Sequence, residues 1–233
     1  MFKVLTGRFR DDSSGPMKVV SGSIGKEKVH YQAPAAEVLE SEMIAFLNWF
    51  NYEQNIDLVI KSALAHLWFV TLHPFDDGNG RIARALSDMI LAQSDGQSYR
   101  FYSMSSQIRS ERKHYYEVLE KTQKRSLDVT CWLKWFLHCL LNAMKASETM
   151  LEKVVAKHNF WLINASKLEN ERQQKMLNKL LDGSEGKLTS SKWAKICKCS
   201  QDTALRDIKD LLDKQILKKL PGGSRSTAYA LKQ

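Results

Sequence analysis

The run His73-Pro74-Phe75-Asp76-Asp77-Gly78-Asn79-Gly80-Arg81-Ile82-Ala83-Arg84 brings together, within a dozen residues, the groups that phosphate chemistry needs. Gly78 and Gly80 let backbone amides come close to an anion. They stand where a helix begins, so free N–H groups and the positive end of the helix dipole converge on one point. Gly78 and Gly80 therefore read as a phosphate cradle. Arg81 and Arg84, three residues apart in the first helical turns, share a face and offer two guanidinium groups to further phosphate oxygens. Asp77 carries a carboxylate suited to magnesium, an ion that takes oxygen ligands and uses only one or two carboxylates beside phosphate. His73 titrates near neutrality and can act as general base toward an attacking hydroxyl, a contribution of roughly 10² to 10⁴ in rate.

Plainer roles compete with these. A lone histidine is more often a cap or a core residue, and His66, seven positions before His73, raises the rival of a metal site built from His66, His73 and Asp77. Simple packing is the other reading of His66. Arg84 could form a surface bridge with Asp88, four residues on, and Asp76 reads as solvated. Trp49, Trp68, Trp132, Trp135 and Trp161 fall at apolar helical positions and are expected in cores.

These groups must be positioned by the elements around them. Pro74 disfavours helical geometry at the residue before it and lacks a backbone donor, so the helix from Leu58 must end near Leu72 and leave His73 at its exit. A new helix is expected from Arg81 to about Ser94, with Ile82, Leu86, Met89 and Ile90 on its apolar side. Upstream, residues 18–31 read as two short strands around a Gly-bearing turn. Val38, Met43, Phe46, Leu47 and Phe50 then recur at helical spacing.

Downstream, helices are expected at about 105–125, 128–160 with a break, and 171–182. In the tail, Thr189 opens a helix to Cys197 and Ser200 another to Lys214. Strands at 216–220 and 227–231 follow, joined through Pro221 to Arg225, which is a winged-helix pattern. The expected fold is mainly α: a helical core with a small β-hairpin over residues 1–165, and a C-terminal winged helix-turn-helix domain over 166–233.

Composition sets the frame. The chain has 233 residues, a net charge of +9, 43% hydrophobic residues, and only 11 Gly and 4 Pro, as in a packed, helix-rich protein of two domains. The charge suits partners that carry phosphate or an acidic face. From Glu171 to Gln233 there are 14 Lys or Arg against 7 Asp or Glu, so most of the excess lies in the tail. There Gln201, Thr203, Arg206 and Lys209 would lie on the second helix, with Arg225 on the wing, as candidate DNA contacts. Cys131, Cys139, Cys197 and Cys199 show no disulfide or zinc spacing, which points to a reducing cytoplasm. Neither a signal peptide nor a membrane span is indicated.

The string from His73 to Arg84 resembles, at every position, the signature of Fic-domain proteins, His-Pro-Phe-x-Asp/Glu-Gly-Asn-Gly-Arg-x-x-Arg. The resemblance implies an all-helical core and transfer of AMP from ATP, with magnesium, to a Ser, Thr or Tyr hydroxyl of a target protein, releasing pyrophosphate. It implies His73 as base, Asp77 as metal ligand, Gly78, Asn79 and Gly80 as anion hole, Arg81 and Arg84 as phosphate clamp, and Phe75 as the loop's anchor. Residues 18–33 look like the family's flap, which pairs by backbone with a target segment, here through Val29, His30 and Tyr31. Tyr115, Tyr116 and Gln123 lie where the family presents a ring and an amide to adenine. Gly7-Arg8-Phe9-Arg10 resembles the segment before the flap, and the tail is similar to one behind some bacterial Fic cores.

One feature departs from the family pattern. The inhibitory helix with Ser/Thr-x-x-x-Glu-Gly/Asn has no match, since Glu169-Asn170 and Glu185-Gly186 are preceded four residues earlier by Ala165 and Leu181. Either the chain is a fragment or its restraint comes from elsewhere. Other readings are a nucleotide-sensing DNA-binding regulator, a Fic enzyme moving another nucleotide, and removal of AMP. A second copy of the chain is a candidate partner, and a membrane is not.

Overall fold

The computed structural model describes residues 9–11, 13, 15–23, 25–96, 100–124, 127–183, 187–221 and 227–232. The chain is mainly helical, with small two-stranded sheets, and divides into two compact units, Met1–Thr149 and Met150–Gln233. The division falls inside one helix, earlier than the expected position 165. Residues 130–164 contain no glycine or proline, so nothing in the backbone stops the helix there, and the expected break in 128–160 is absent.

In the first unit, strands β1 (Lys18–Ser21) and β2 (Lys28–Gln32) form an antiparallel hairpin with a register shift between Val19 and Val20. Helices α1 (Leu39–Tyr52), α2 (Leu58–Leu72) and α3 (Asn79–Asp95) follow. α2 is the axis of the unit. Its residues are apolar nearly all round, so it buries Ala63, Leu67, Phe69 and Val70 on several sides at once. The Asp57 carboxylate starts it by accepting from the Val59 and Ile60 amides.

The helix expected at 105–125 is two, α4 (Met104–Ser110) and α5 (Arg112–Gln123), separated at Glu111. The buried positions Met104, Ile108, Tyr115, Leu119 and Thr122 keep one helical rhythm across the break. Apolar spacing therefore carries no sign of it. α6 (Thr130–Asn164) closes the core with Trp132 and Trp135, and the Trp132 indole donates to the Ala63 carbonyl at 2.8 Å. Trp49 and Trp68 pack against the same core, as expected.

In the second unit, α7 (Glu171–Leu181), α8 (Ser190–Cys197) and α9 (Gln201–Asp213) surround Trp193, Met176, Leu177, Ile208 and Leu211. Asn170, Thr189 and Ser200 cap the three helices through their side chains. β3 (Leu217–Lys219) and β4 (Tyr229–Leu231) pair antiparallel, and Leu188 bridges to Tyr229 beside them. The buried Asp207 carboxylate receives both Arg172 Nε at 2.9 Å and Asn170 Nδ2 at 3.0 Å, fastening α7 to α9. Among the described residues, no helix is long and apolar enough to cross a membrane.

Candidate active site

His73 leaves α2 in the left-handed conformation, φ 49° and ψ 54°, at the end of a helix that Pro74 cannot continue. Its amide still closes the last turn on the Phe69 carbonyl, and its Nδ1 lies 3.3 Å from the Val70 carbonyl oxygen. A carbonyl can only accept, so the proton of the neutral ring belongs on Nδ1 and the lone pair on Nε2. Burial lowers the imidazole's pKa, the Val70 bond raises it, and the Arg10 charge lowers it, for a net depression. The ring is therefore neutral near pH 7, with a basic nitrogen to offer.

The loop after it is held by its own side chains. Asn79 is buried, accepts the Phe75 amide at 3.0 Å and donates to the Phe75 carbonyl at 2.6 Å. The Phe75 ring packs between Phe9 and Phe69, in the anchoring place expected of it. Gly78, at φ 89°, turns the chain into α3 where a side chain would be strained. α3 begins at Asn79, two residues before the expected Arg81, because the Gly78 carbonyl accepts both the Arg81 and Ile82 amides.

The cradle is narrower than expected. The Gly78 amide donates to the Asp77 carboxylate at 2.6 Å and the Arg81 amide to Gly78, so Asn79 and Gly80 have the amides with no acceptor among the described residues. The Asn79 side chain braces the loop, leaving only its backbone N–H for an anion. Asp77 and Arg81, both exposed, pair at 3.1 Å.

Arg84 is half-buried and makes no hydrogen bond or ion pair among the described residues. Its guanidinium reaches back over the start of α3, 3.6 Å from where a Cβ on Gly80 would stand. The surface bridge to Asp88 is not formed, because Asp88 pairs with Arg100 at 2.6 Å. A half-desolvated cation beside two free amides is an anion seat.

The rival metal site fails. His66 is fully buried, 3.1 Å from the Tyr115 hydroxyl and 3.3 Å from Ser87 Oγ, and burial followed by the Arg84 charge pushes its pKa down to about 3. Tyr115 is likewise a core residue, at 4% exposure with its hydroxyl spent on His66, which corrects its assignment to adenine. The ring beside it, Tyr116, is exposed under Arg112. Gln123 stands by the loop, its Nε2 donating to Thr71 Oγ1 at 3.1 Å.

Of the flap residues, Val29 is exposed, whereas His30 and Tyr31 face the helical body. The Tyr31 hydroxyl donates to the Thr71 carbonyl at 2.9 Å. His30 sits 2.5 Å from both Ser21 Oγ and the Glu120 carboxylate, whose pKa Lys124 and His30 hold down to about 2. Among the described residues β2 has β1 as its strand neighbour, so its other edge is open to strand addition.

Local spacing gave no role to Arg10. It is buried, and its guanidinium donates to the carbonyls of His73 and Pro34. Its partners lie 63 and 24 residues away, so only the tertiary fold reveals them.

In the tail, Gln201, Arg206 and Lys209 are exposed on α9, while Thr203 Oγ1 is 2.9 Å from the capping Ser200 hydroxyl. Arg225 lies outside the described residues, as do Gly7 and Arg8. α9 also carries the exposed carboxylates Asp202 and Asp213, which oppose a phosphate backbone.

Comparison with known proteins places the same stretch of sequence in a wider set of chains. Residues 1–91 match the Fic/DOC family. The chain is 38% identical over 64 residues to the probable protein adenylyltransferase aq_aa38 of Aquifex aeolicus, covering 28% of this chain and 20% of that protein. It is 33% identical over 123 residues to the protein adenylyltransferase Fic of Nematostella vectensis, covering 50% of this chain and 27% of that one. The chain thus spans about a fifth to a quarter of these relatives' length. A Fic family protein from Desulfovibrio desulfuricans G20 superposes with a TM-score of 0.50 at 21% identity, covering 97% of this chain and 62% of that one, a likeness of fold.

Proposed function

We propose that the Fic/DOC domain of this chain transfers AMP from ATP to a Ser, Thr or Tyr hydroxyl of a target protein, releasing pyrophosphate. The observation that carries this is the Nδ1 contact of His73 with Val70, which leaves Nε2 as a proton acceptor beside an anion seat. The names of the protein adenylyltransferases similar to this chain support adenylyl as the transferred group.

In this reading the triphosphate takes the Asn79 and Gly80 amides and the Arg84 guanidinium. The Gly78 amide and Arg81 join as they exchange the Asp77 carboxylate for phosphate. His73 Nε2 takes the proton of the target hydroxyl. That oxygen bonds to the α-phosphorus, the bond from the α-phosphorus to the bridging oxygen breaks, and the electron pair leaves with pyrophosphate.

Asp77 would hold magnesium. Its carboxylate is exposed at the edge of the seat, and a single protein carboxylate suits an ion that completes its shell with phosphate and water. When bound, magnesium supplies charge neutralisation on the phosphate oxygens. An open edge of β2 would align the target segment by strand addition.

The test is incubation of wild type and His73→Ala with each of ATP, GTP, CTP and UTP plus magnesium and a host lysate, read by intact-mass and peptide mass spectrometry. A gain of AMP that disappears in His73→Ala, with ATP binding retained, is expected. Equal labelling by both proteins rejects the role of His73, and preference for another nucleotide rejects adenylyl.

A further inference from the structure

The end of α2 has a specific problem. Helix termini leave backbone carbonyls without amide partners, and a glycine-ended helix satisfies two of them with the amides of the next two residues. Here the second of those residues is Pro74, which has no N–H. The exit is also left-handed at a histidine, a conformation that persists only when its surroundings enforce it.

Three of the carbonyls find partners, two in His73 and one in the hairpin. Phe69 takes the His73 amide, Val70 takes His73 Nδ1, and Thr71 takes the Tyr31 hydroxyl. The next two carbonyls past the helix both belong to Arg10: its Nε donates to His73 at 2.9 Å and its amide to Pro74 at 2.9 Å. The other arm of the same guanidinium donates to Pro34, at the base of the hairpin. A guanidinium at 4% exposure with its fork on two carbonyls cannot be moved without moving both.

We infer that Arg10 is a positioning residue for the base: it holds the His73 backbone in its left-handed exit, so that Nδ1 stays on Val70 and Nε2 faces the anion seat. This rests on the transfer reading above. Arg10 is buried, with its guanidinium on backbone carbonyls. It acts through the His73 carbonyl, and it ties that carbonyl to the hairpin against which a target segment would lie.

Two variants separate positioning from general stability. Arg10→Met removes the fork and the charge; Arg10→Lys keeps the charge but cannot span two carbonyls. Three readouts are taken on the full chain: thermal unfolding, ATP binding, and NMR titration of the His73 imidazole. Transfer kinetics are added as kcat and KM. The expected result for Arg10→Met is a fall in kcat of about 10²-fold, as a small misplacement of a catalytic group costs. KM and ATP affinity stay near wild type, and the His73 titration midpoint moves upward as the nearby charge is lost.

Arg10→Lys is expected to keep the low midpoint while still losing kcat. If Arg10→Met does not fold, Arg10→Lys alone decides. Wild-type kcat in the folded variants, or a loss of kcat that only tracks lost ATP binding, overturns the inference. Absence of transfer in the wild type sinks the transfer reading instead. The imidazole ¹⁵N shifts of His73, which report whether the proton stays on Nδ1, then judge Arg10 by themselves, and an unchanged tautomer in both variants overturns its role.

Discussion

The side chain of Asn79 grips the backbone of Phe75 from both sides, accepting its amide at 3.0 Å and donating to its carbonyl at 2.6 Å. This pair turns six residues of loop into a fixed cradle. Asn79→Ala strands two backbone groups and should cost about 1–3 kcal/mol in unfolding free energy. It should also weaken ATP binding, since the free amides lose their aim. Denaturant unfolding and calorimetric titration with ATP check it; unchanged stability would remove the brace.

A second expectation concerns pH. The active form of His73 is neutral, and its pKa is lowered, chiefly by burial. The acid limb of the transfer rate should therefore have its midpoint below the usual 6.5, with the rate flat through pH 7 and falling only on further acidification. A pH profile of kcat/KM is the measurement, and a midpoint above 6.5 contradicts the assignment.

The two arginines should differ. Arg84 is half-buried with no carboxylate, so Arg84→Ala removes a charge that phosphate alone can satisfy, and ATP affinity should fall about 10- to 100-fold. Arg81 is exposed and already paired with Asp77, so Arg81→Ala should cost only a few-fold in binding. Its larger effect belongs to kcat, if the guanidinium meets charge that develops during transfer. Binding isotherms for the two variants decide the order.

His66 predicts an acid weakness of the fold. Its pKa is about 3 folded against 6.5 ordinarily, so below pH 6.5 the unfolded chain binds a proton that the native chain refuses. Stability should fall as pH drops from 6.5 toward 3, by up to about 1.4 kcal/mol per pH unit from this group. His66→Gln should unfold at a midpoint less sensitive to pH over that window. Parallel slopes in the two proteins would show that burial of His66 carries no proton linkage.

Much of the site was legible because its chemistry is local. Pro74 fixes the end of α2, glycine at position 78 permits the turn, and Arg81 and Arg84 share a helix face by spacing alone. The misreadings came where one pattern has two outcomes. Tyr115 and Tyr116 are adjacent, and only the packing of α5 on His66 and Trp132 shows which ring is inside. The continuous apolar rhythm through 104–122 concealed the break at Glu111. A long charged helix without glycine or proline looked interrupted and is not.

The sequence by itself determined the kind of chemistry, since a histidine before a proline and a glycine loop before two arginines limit the groups available to phosphate. It also determined most of the succession of helices and hairpins, which follows from caps, breakers and periodicity, though not the break at Glu111 or the continuity of α6. Only the tertiary structure decided which atoms are free. The Val70 carbonyl chooses the tautomer of His73, Asp77 occupies the Gly78 amide, and Arg10 holds the exit from 63 residues away. Hydrogen-bond partners and desolvation depend on what lies close in space, and chain order does not record that.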